Sequence, residues 1–348
     1  MATDAFLSFR AVRGISVPSP RMKELPAILR RLAETDAPAA LATLVQVEGS
    51  SYRRPGARLL LTANGTRTGS ISGGCLEEDL AGHARAVLAS GESVLVTYDT
   101  TAENDLVWGV GLGCHGVVRV LVEKLPPAPR WAAVCAENFR QRTPTSLAVV
   151  WQAADHTLLR TRLADELPTS PTADMSIFRE IVPPPPSLLI CGAGDDVQPL
   201  VRFAKELGWR VTVADPRTDF ANPKRFPEAD EILIVRTDDL TSRAPVDAHT
   251  LAVVMTHHYR HDLPFMRVLL PQPLAYLGLL GPKKRAEKIL DDLAATPAQR
   301  ARLHAPVGLD LGGDTPEAVA LAILSEMQSV LAGRDARPLG ERTGPIHD

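Results

Sequence analysis

The stretch from Ser187 to Asp215 constrains the fold more than any other. Ser187-Leu-Leu-Ile-Cys191 is a short apolar run that ends in the tight turn Gly192-Ala-Gly194. Asp196 to Leu207 follows with helical length and stops at Gly208; Trp209-Arg-Val-Thr-Val-Ala214 is a second apolar run, closed by Asp215. Strand, glycine turn, helix and strand make a βαβ unit, which predicts a mainly parallel sheet covered by helices, a Rossmann-like domain. Asp215 lies about 20 residues past the glycines, where a ribose hydroxyl would need an acid. The fingerprint is incomplete, because position 197 is Val rather than a third glycine, and Asp195 and Asp196 place negative charge where a pyrophosphate wants none. Arg217 would instead favour a 2′-phosphate. Gly192, Gly194, Asp215 and Arg217 are therefore candidate NAD(P)-binding residues in a fold that does not by itself fix a ligand.

Further apolar runs at Glu231–Val235, Thr250–Met255 and Leu274–Leu280 extend this sheet. Thr256-His-His-Tyr-Arg-His261 follows one of them at its carboxyl end, where open α/β sheets bind ligands. Its histidines are either metal ligands or one wall of a polar crevice. Gly281-Pro-Lys-Lys-Arg285 brings positive charge to a helix start, suited to an anion or simply solvated. Thr315, Pro316 and Glu317 open the last helix as cap, first residue and dipole partner.

Upstream, Pro183-Pro-Pro-Pro186 marks a stiff boundary. The expected organisation is a mixed α/β N-terminal domain over residues 1–165, a Pro-rich linker over 166–186, the Rossmann-like domain over 187–335 and a flexible tail over 336–348. In the first domain, helical spacing runs from Arg21 to Thr35, and strands are expected at Ala39–Val47, Arg58–Thr62, Ser93–Tyr98, Thr145–Gln152 and Thr157–Arg162. Asn64-Gly65 is a hairpin turn.

Two glycine-rich turns in this domain carry cysteines. Gly69-Ser-Ile-Ser-Gly-Gly-Cys-Leu-Glu77 leads into a helix expected from about Cys75 to Ser90. Gly73 and Gly74 let the backbone approach a ligand closely, and a helix start favours an anion or a thiolate. Glu77, Glu78 and Asp79 suit the helix but weaken that field. Cys114 lies in the second turn, Trp108-Gly-Val-Gly-Leu-Gly-Cys-His-Gly116. The plain alternative is that both cysteines are small buried hydrophobes. Arg53 and Arg54, with Arg58 and Arg67, could meet a phosphate, and Ser72 could add a hydrogen bond; exposed arginines on a hairpin are otherwise solvated surface.

Taken together, these motifs resemble the xanthine dehydrogenase accessory factor family, XdhC/CoxI. The resemblance rests on Gly49-Ser-Ser-Tyr-Arg-Arg-Pro-Gly-Ala-Arg58, Gly69–Glu77 and Gly111-Leu-Gly-Cys-His-Gly116 in the first domain. In the second it rests on Cys191–Gly194, Leu207–Arg217, Tyr276-Leu-Gly-Leu-Leu-Gly281 and His304–Asp310. It implies a maturation factor that binds molybdenum cofactor, supports its sulfuration and hands it to a molybdenum hydroxylase apoenzyme, with a cysteine desulfurase as sulfur donor. It implies Cys75 as first choice of metal ligand and Cys114 as second. The chain departs from the family at Asp195, where many members carry histidine. The competing readings are an NAD(P)-dependent oxidoreductase and a non-catalytic scaffold for the target enzyme.

Composition sets outer limits. A net charge of -3 argues against a broad nucleic-acid surface, and four cysteines without a CxxC pair make neither a disulfide framework nor a zinc ribbon. No apolar run reaches the roughly 20 residues that span a membrane, and the N-terminus lacks a signal-peptide layout. A cytoplasmic homodimer is the expected form.

Overall fold

In the computed structural model, which describes residues 23–99, 116–168 and 172–343, the chain divides into two units between Pro184 and Pro185, inside the four-proline run. The first unit runs α1 (Glu24–Glu34), β1 (Ala39–Gly49), β2 (Arg58–Thr62), β3 (Arg67–Gly69), α2 (Glu77–Ser90), β4 (Val94–Asp99), β5 (Gly116–Lys124), α3 (Arg130–Arg140), β6 (Thr145–Gln152), β7 (Arg160–Leu163) and β8 (Ser176–Val182). Five strands form an antiparallel sheet in the order β3-β2-β1-β5-β4, and three more form a second one, β7-β6-β8.

β1 lacks polar alternation because both of its faces are covered. Ala40, Ala42 and Leu44 pack with Leu80, Ala84 and Val87 of α2, while Ala39 and Leu41 pack with Leu25 and Ile28 of α1 and Trp131 of α3. Two expectations change. The strand expected from Thr157 starts instead at Arg160, because the Asp155 carboxylate accepts the Thr157 N–H at 2.9 Å and turns His156–Leu158 into a 3-10 turn. Residues Ser176–Val182, read as linker, form β8, paired along its length with β6. A long-range charge pair that sequence spacing does not reveal also ties β8 to the first sheet: buried Arg58 of β2 pairs with Glu180 of β8 and donates to the Gly56 carbonyl at 2.8 Å.

The second unit runs β9 (Ser187–Cys191), α4 (Val197–Glu206), β10 (Arg210–Ala214), β11 (Glu231–Leu233), α5 (Leu240–Arg243), β12 (Thr250–Val254), α6 (Tyr259–Leu269), β13 (Tyr276–Leu279), α7 (Lys283–Asp292), α8 (Pro297–Arg302), β14 (Leu303–His304) and α9 (Pro316–Ala332). All six strands are parallel, in the order β11-β10-β9-β12-β13-β14. Leu188 and Ile190 of β9 face α4 and α9; Leu189 and Cys191 face α6 and α7. The expected βαβ unit and three-layer sandwich are therefore present. The strand order reverses at β9, so the carboxyl ends of β9, β10 and β12 surround a crevice. Thr315 caps α9, its Oγ1 accepting the Ala318 N–H at 3.2 Å, with Pro316 as first residue. Glu326 of α9 organises the His304–Gly308 loop: its carboxylate accepts from Tyr276 Oη at 2.5 Å and Gly308 N at 2.8 Å and contacts His304 Nδ1 at 2.9 Å.

One strut of the first unit is titratable. Glu123 of β5 is buried and accepts from Thr161 of β7, through its N–H at 2.9 and 3.0 Å and its hydroxyl at 2.5 Å. Burial pushes this carboxyl up to about 7, against the pull of those hydrogen bonds and of Arg58 and Arg160. A folded-state value above the ordinary 4.5 means that stability is full below 4.5 and is lost as the pH rises through about 7. Glu123→Gln, which stays neutral, should therefore gain in melting temperature over the native protein on going from about pH 5 to about pH 9. A difference that does not change with pH would remove Glu123 from this role.

Candidate functional site

The first candidate centre is the turn between β3 and α2. Gly69 leaves β3 with φ 98°, and a Cβ there would lie 2.2 Å from the Arg58 carbonyl oxygen, so glycine is required. The turn then folds around one carboxylate. Glu77 Oε1 accepts from Ser70 Oγ at 2.9 Å, Ile71 N at 3.0 Å and Ser72 N at 2.8 Å; Oε2 accepts from Ser72 Oγ at 2.5 Å and Gly74 N at 2.9 Å. Ser72 Oγ also accepts the Leu76 N–H at 2.9 Å. Burial alone would raise this carboxyl, but the bonds from Ser72, Ser70 and Ile71 outweigh it and hold Glu77 at about 2.

This arrangement corrects the expectation of an anion bound at the helix start. The chain supplies its own anion, Glu77, and α2 begins at Glu77 rather than at Cys75. Cys75 stands exposed at the crest of the turn as a free thiol, beside Gly73 (φ 84°) and Gly74 (φ 129°). The exposed Tyr52 ring borders Gly73, two residues before the thiol, since a Cβ on Gly73 would meet Tyr52 Cε1 at 3.0 Å. Among the described residues the other cysteines are buried; burial pushes the Cys135 thiol up to about 11 and raises that of Cys191 also.

The arginines expected to meet a phosphate are largely spent within the chain. Arg53 pairs with Glu24 of α1 at 2.5 Å and reaches the Ser70 carbonyl at 3.5 Å, so it braces the turn. Arg58 is buried against Glu180, and Arg67 pairs with Glu78 at 2.6 Å. Arg54 is half-buried, and its carbonyl accepts the Ala57 N–H at 3.2 Å.

The second candidate centre is the crevice of the parallel sheet, a cavity of 290 Å³ at Asp215, Arg217, Thr256 and the three histidines. Gly192 (φ 121°) lets the first turn pass Met255, whose carbonyl oxygen a Cβ would meet at 2.6 Å. A Cβ on Gly194 would strike Asp196 Oδ1 at 2.6 Å, and Asp196 pairs with His257 Nε2 at 2.7 Å. Asp215 is buried with both oxygens on Arg217: Oδ1 accepts from its N and Nε at 2.9 Å each, Oδ2 from Nη2 at 2.8 Å. His258 Nδ1 caps α6 by accepting the Arg260 N–H at 3.2 Å, and no three-ligand metal group exists among the described residues. Arg285, expected to offer charge to an anion, instead bridges the Leu280 carbonyl, the His257 carbonyl and the buried Asp262 carboxylate.

Comparison with known proteins now bears on both centres. Residues 188–327 match the model of the XdhC Rossmann domain, and residues 32–99 match that of the XdhC and CoxI family. A Bacillus subtilis protein described as a probable xanthine dehydrogenase subunit is 32% identical over 318 residues, 86% of this chain and 95% of that protein. This chain belongs to the XdhC and CoxI family. An Escherichia coli molybdenum cofactor insertion chaperone, PaoD, is 25% identical over 296 residues, 84% of this chain and 83% of that protein. The crystal structure of a xanthine dehydrogenase from Bacillus halodurans matches with a TM-score of 0.78 and 30% identity, covering 92% of this chain and 98% of that one.

Within this XdhC/CoxI chain, the turn brings together Ser72, Gly73, Gly74 and Cys75, with Arg53 behind it. The crevice brings together Gly192, Gly194, Asp215 and Arg217. Cys114 lies outside the described residues. Asp195 is exposed and pairs with Arg225 at 2.6 Å. Two contributors went unassigned in the sequence. Tyr52 gave no signal beyond its place in a motif. Glu77 gave one that was misread, since Ser70, Ser72 and Glu77 together spell a carboxylate-filled turn. Glu77→Gln should destabilise the first unit by about 2 kcal/mol near neutral pH, the scale of hydrogen bonds to a charged group. Because the Glu77 carboxyl sits below its ordinary 4.5, that deficit should shrink as the pH falls from about 4.5 toward 2. Denaturant unfolding across this range would check it, and an unchanged deficit at low pH would show that the charge is not what holds the turn.

Proposed function

We propose that this chain is a maturation factor for a molybdenum hydroxylase of the xanthine dehydrogenase or CO dehydrogenase type. In this reading it binds molybdenum cofactor, supports sulfuration of the metal centre with sulfur from a cysteine desulfurase, and delivers the cofactor to the apoenzyme. The names of its relatives in Bacillus subtilis and Escherichia coli support the reading. The observation that carries it is the exposed Cys75 thiol on a turn whose backbone is pinned by five donors to Glu77.

The cargo suits that turn. Molybdenum is thiophilic, and a thiol at a Gly-Gly crest can approach it without a neighbouring Cβ in the way. A Cβ at Gly74 would meet nothing within 4 Å, so the surface beside Cys75 is open. Tyr52 offers an aromatic face to a pterin. A rigid turn matters because a carrier must hold its cargo without ordering itself at each transfer. Reading the second unit as a dinucleotide dehydrogenase draws no support from the crevice, where Arg217 occupies both oxygens of the acid that a ribose would need.

The test is anaerobic incubation with molybdenum cofactor, gel filtration, and metal and pterin analysis of the protein peak. The native protein should retain stoichiometric cofactor. Cys75→Ala should lose affinity at least tenfold, a difference of about 1.4 kcal/mol, with an unchanged circular dichroism spectrum. Equal retention by a folded Cys75→Ala protein would remove Cys75 from the role; no retention by the native protein would end the carrier reading.

A further inference from the structure

The first unit holds a second depression that shares no residue with the Cys75 turn. Its volume is 810 Å³, and it lies among the end of β5, the loop into α3, the 3-10 turn at His156–Leu158 and β7. That is the size of a small-molecule site. Gly91, just past the end of α2, borders it, whereas the Cys75 turn sits at the other end of the same helix. Fourteen helical residues at 1.5 Å each separate the two by about 20 Å.

Two cations that line this depression lack an ion-pair partner among the described residues. Arg160 and Arg162 lie two residues apart on β7 and so on one side of the strand. Arg160 donates Nε to the Thr157 carbonyl at 3.1 Å and Nη2 to the same oxygen; Arg162 donates Nη2 to the Leu158 carbonyl at 2.9 Å. Neither is within ion-pair distance of a carboxylate among the described residues. The two buried or half-buried acids nearby have other partners: Glu166 is taken by Arg130 at 2.6 Å, and Glu123 by Thr161. Arg162 Nε is buried without an acceptor. Burial and the neighbouring Arg160 charge lower the Arg162 guanidinium from its ordinary value, against the smaller opposing pull of Glu166 and Glu123. In the same unit Arg53, Arg58 and Arg67 each hold a carboxylate. The Arg160–Arg162 pair is thus a cost that the chain offsets only in part, through the more distant Glu123 and Glu166, and such strain is of the kind that marks ligand sites.

Two adjacent guanidinium groups match a dianion with several acceptor oxygens. Pro126, Pro127, Trp131 and Leu159 give the depression an apolar part of its lining, and the volume far exceeds that of an inorganic oxyanion. We propose that this depression binds a phosphorylated heterocycle of mononucleotide size, with its phosphate on Arg160 and Arg162 and its ring against the Pro126–Pro127 and Trp131 wall. The site is independent of the Cys75 reading, and either can fail alone.

The test is calorimetric titration of the full chain with the four nucleoside 5′-monophosphates, the matching nucleosides and inorganic phosphate. At least one monophosphate should bind, and its nucleoside and inorganic phosphate should each bind at least tenfold more weakly. Arg160→Gln/Arg162→Gln should lose at least tenfold in affinity while Cys75→Ala binds as the native protein does. The double variant should melt no lower than the native protein, because like charge has been removed. Failure of all four monophosphates to bind, or unchanged binding by the double variant, overturns the proposal. Phosphate binding as tightly as the nucleotide reduces the site to an oxyanion contact and overturns it as well. A double variant that melts well below the native protein makes the arginines structural, with the same consequence.

Discussion

The first unit depends on the burial of one charge. Arg58 lies almost wholly out of solvent, and a guanidinium in that position is tolerable only with a charge partner. Glu180 supplies the partner from 122 positions away, and the pair joins β8, already laddered to β6, to the first sheet. Arg58 also sets the exit of β3, since Leu59 pairs with Gly69 and the Arg58 carbonyl crowds the space where a Gly69 side chain would be. The cysteine turn starts from that point. Its placement thus follows from a buried ion pair and a strand register rather than from the turn's own residues.

Two carboxylates of this unit show how the same group serves opposite ends. Glu77 collects five donors, three of them backbone N–H groups, and stays ionised far below its ordinary range. Glu123 collects donors from one residue only and is wholly enclosed, so burial wins and its proton is held to about 7. Donors and depth of burial together decide between them, because hydrogen bonds to the charged form compete with a desolvation cost that is larger at the fully enclosed Glu123. A permanently charged Glu77 makes a stiff turn at every physiological pH, which is what a platform for an exposed thiol requires. A carboxyl that titrates near neutrality cannot serve in that way.

The legibility of the sequence follows the range of the interactions. β9 and the cap of α9 were readable because their causes are local: an apolar run between turn signals, and Thr315 followed by Pro316. The parallel sheet followed from the βαβ spacing. What could not be read was partnership. Arg53, Arg58 and Arg67 look alike in sequence as free cations near glycines, and each is neutralised by an acid from a different element. β8 was hidden because Glu180 interrupts the apolar face of Phe178 and Val182, and Ile181 is exposed on the other, so that the run shows no clear face until β6 and Arg58 are beside it. Asp155 capturing the Thr157 N–H shortened β7 by a contact that single-residue propensities do not register.

The crevice of the second unit carries the same lesson to function. The glycines, the acid at the end of β10 and the switch in strand order are the parts of a dinucleotide site, yet the side chains have been turned to one another. Asp215 holds Arg217, Asp196 holds His257, and Asp195 holds Arg225. Each pair would have to open before a ribose or pyrophosphate could be bound, and each opening leaves a charge to be solvated or paired elsewhere, at a cost that the ligand must exceed. A fold suited to nucleotides can in this way persist as a scaffold while its polar groups are reassigned to holding loops in place. Among the described residues, Arg160 and Arg162 of β7 lie instead without an ion pair beside a depression, in the unit whose fold gives no such signal, and ligand chemistry is better sought where the protein leaves a charge poorly met than where its topology resembles a known site.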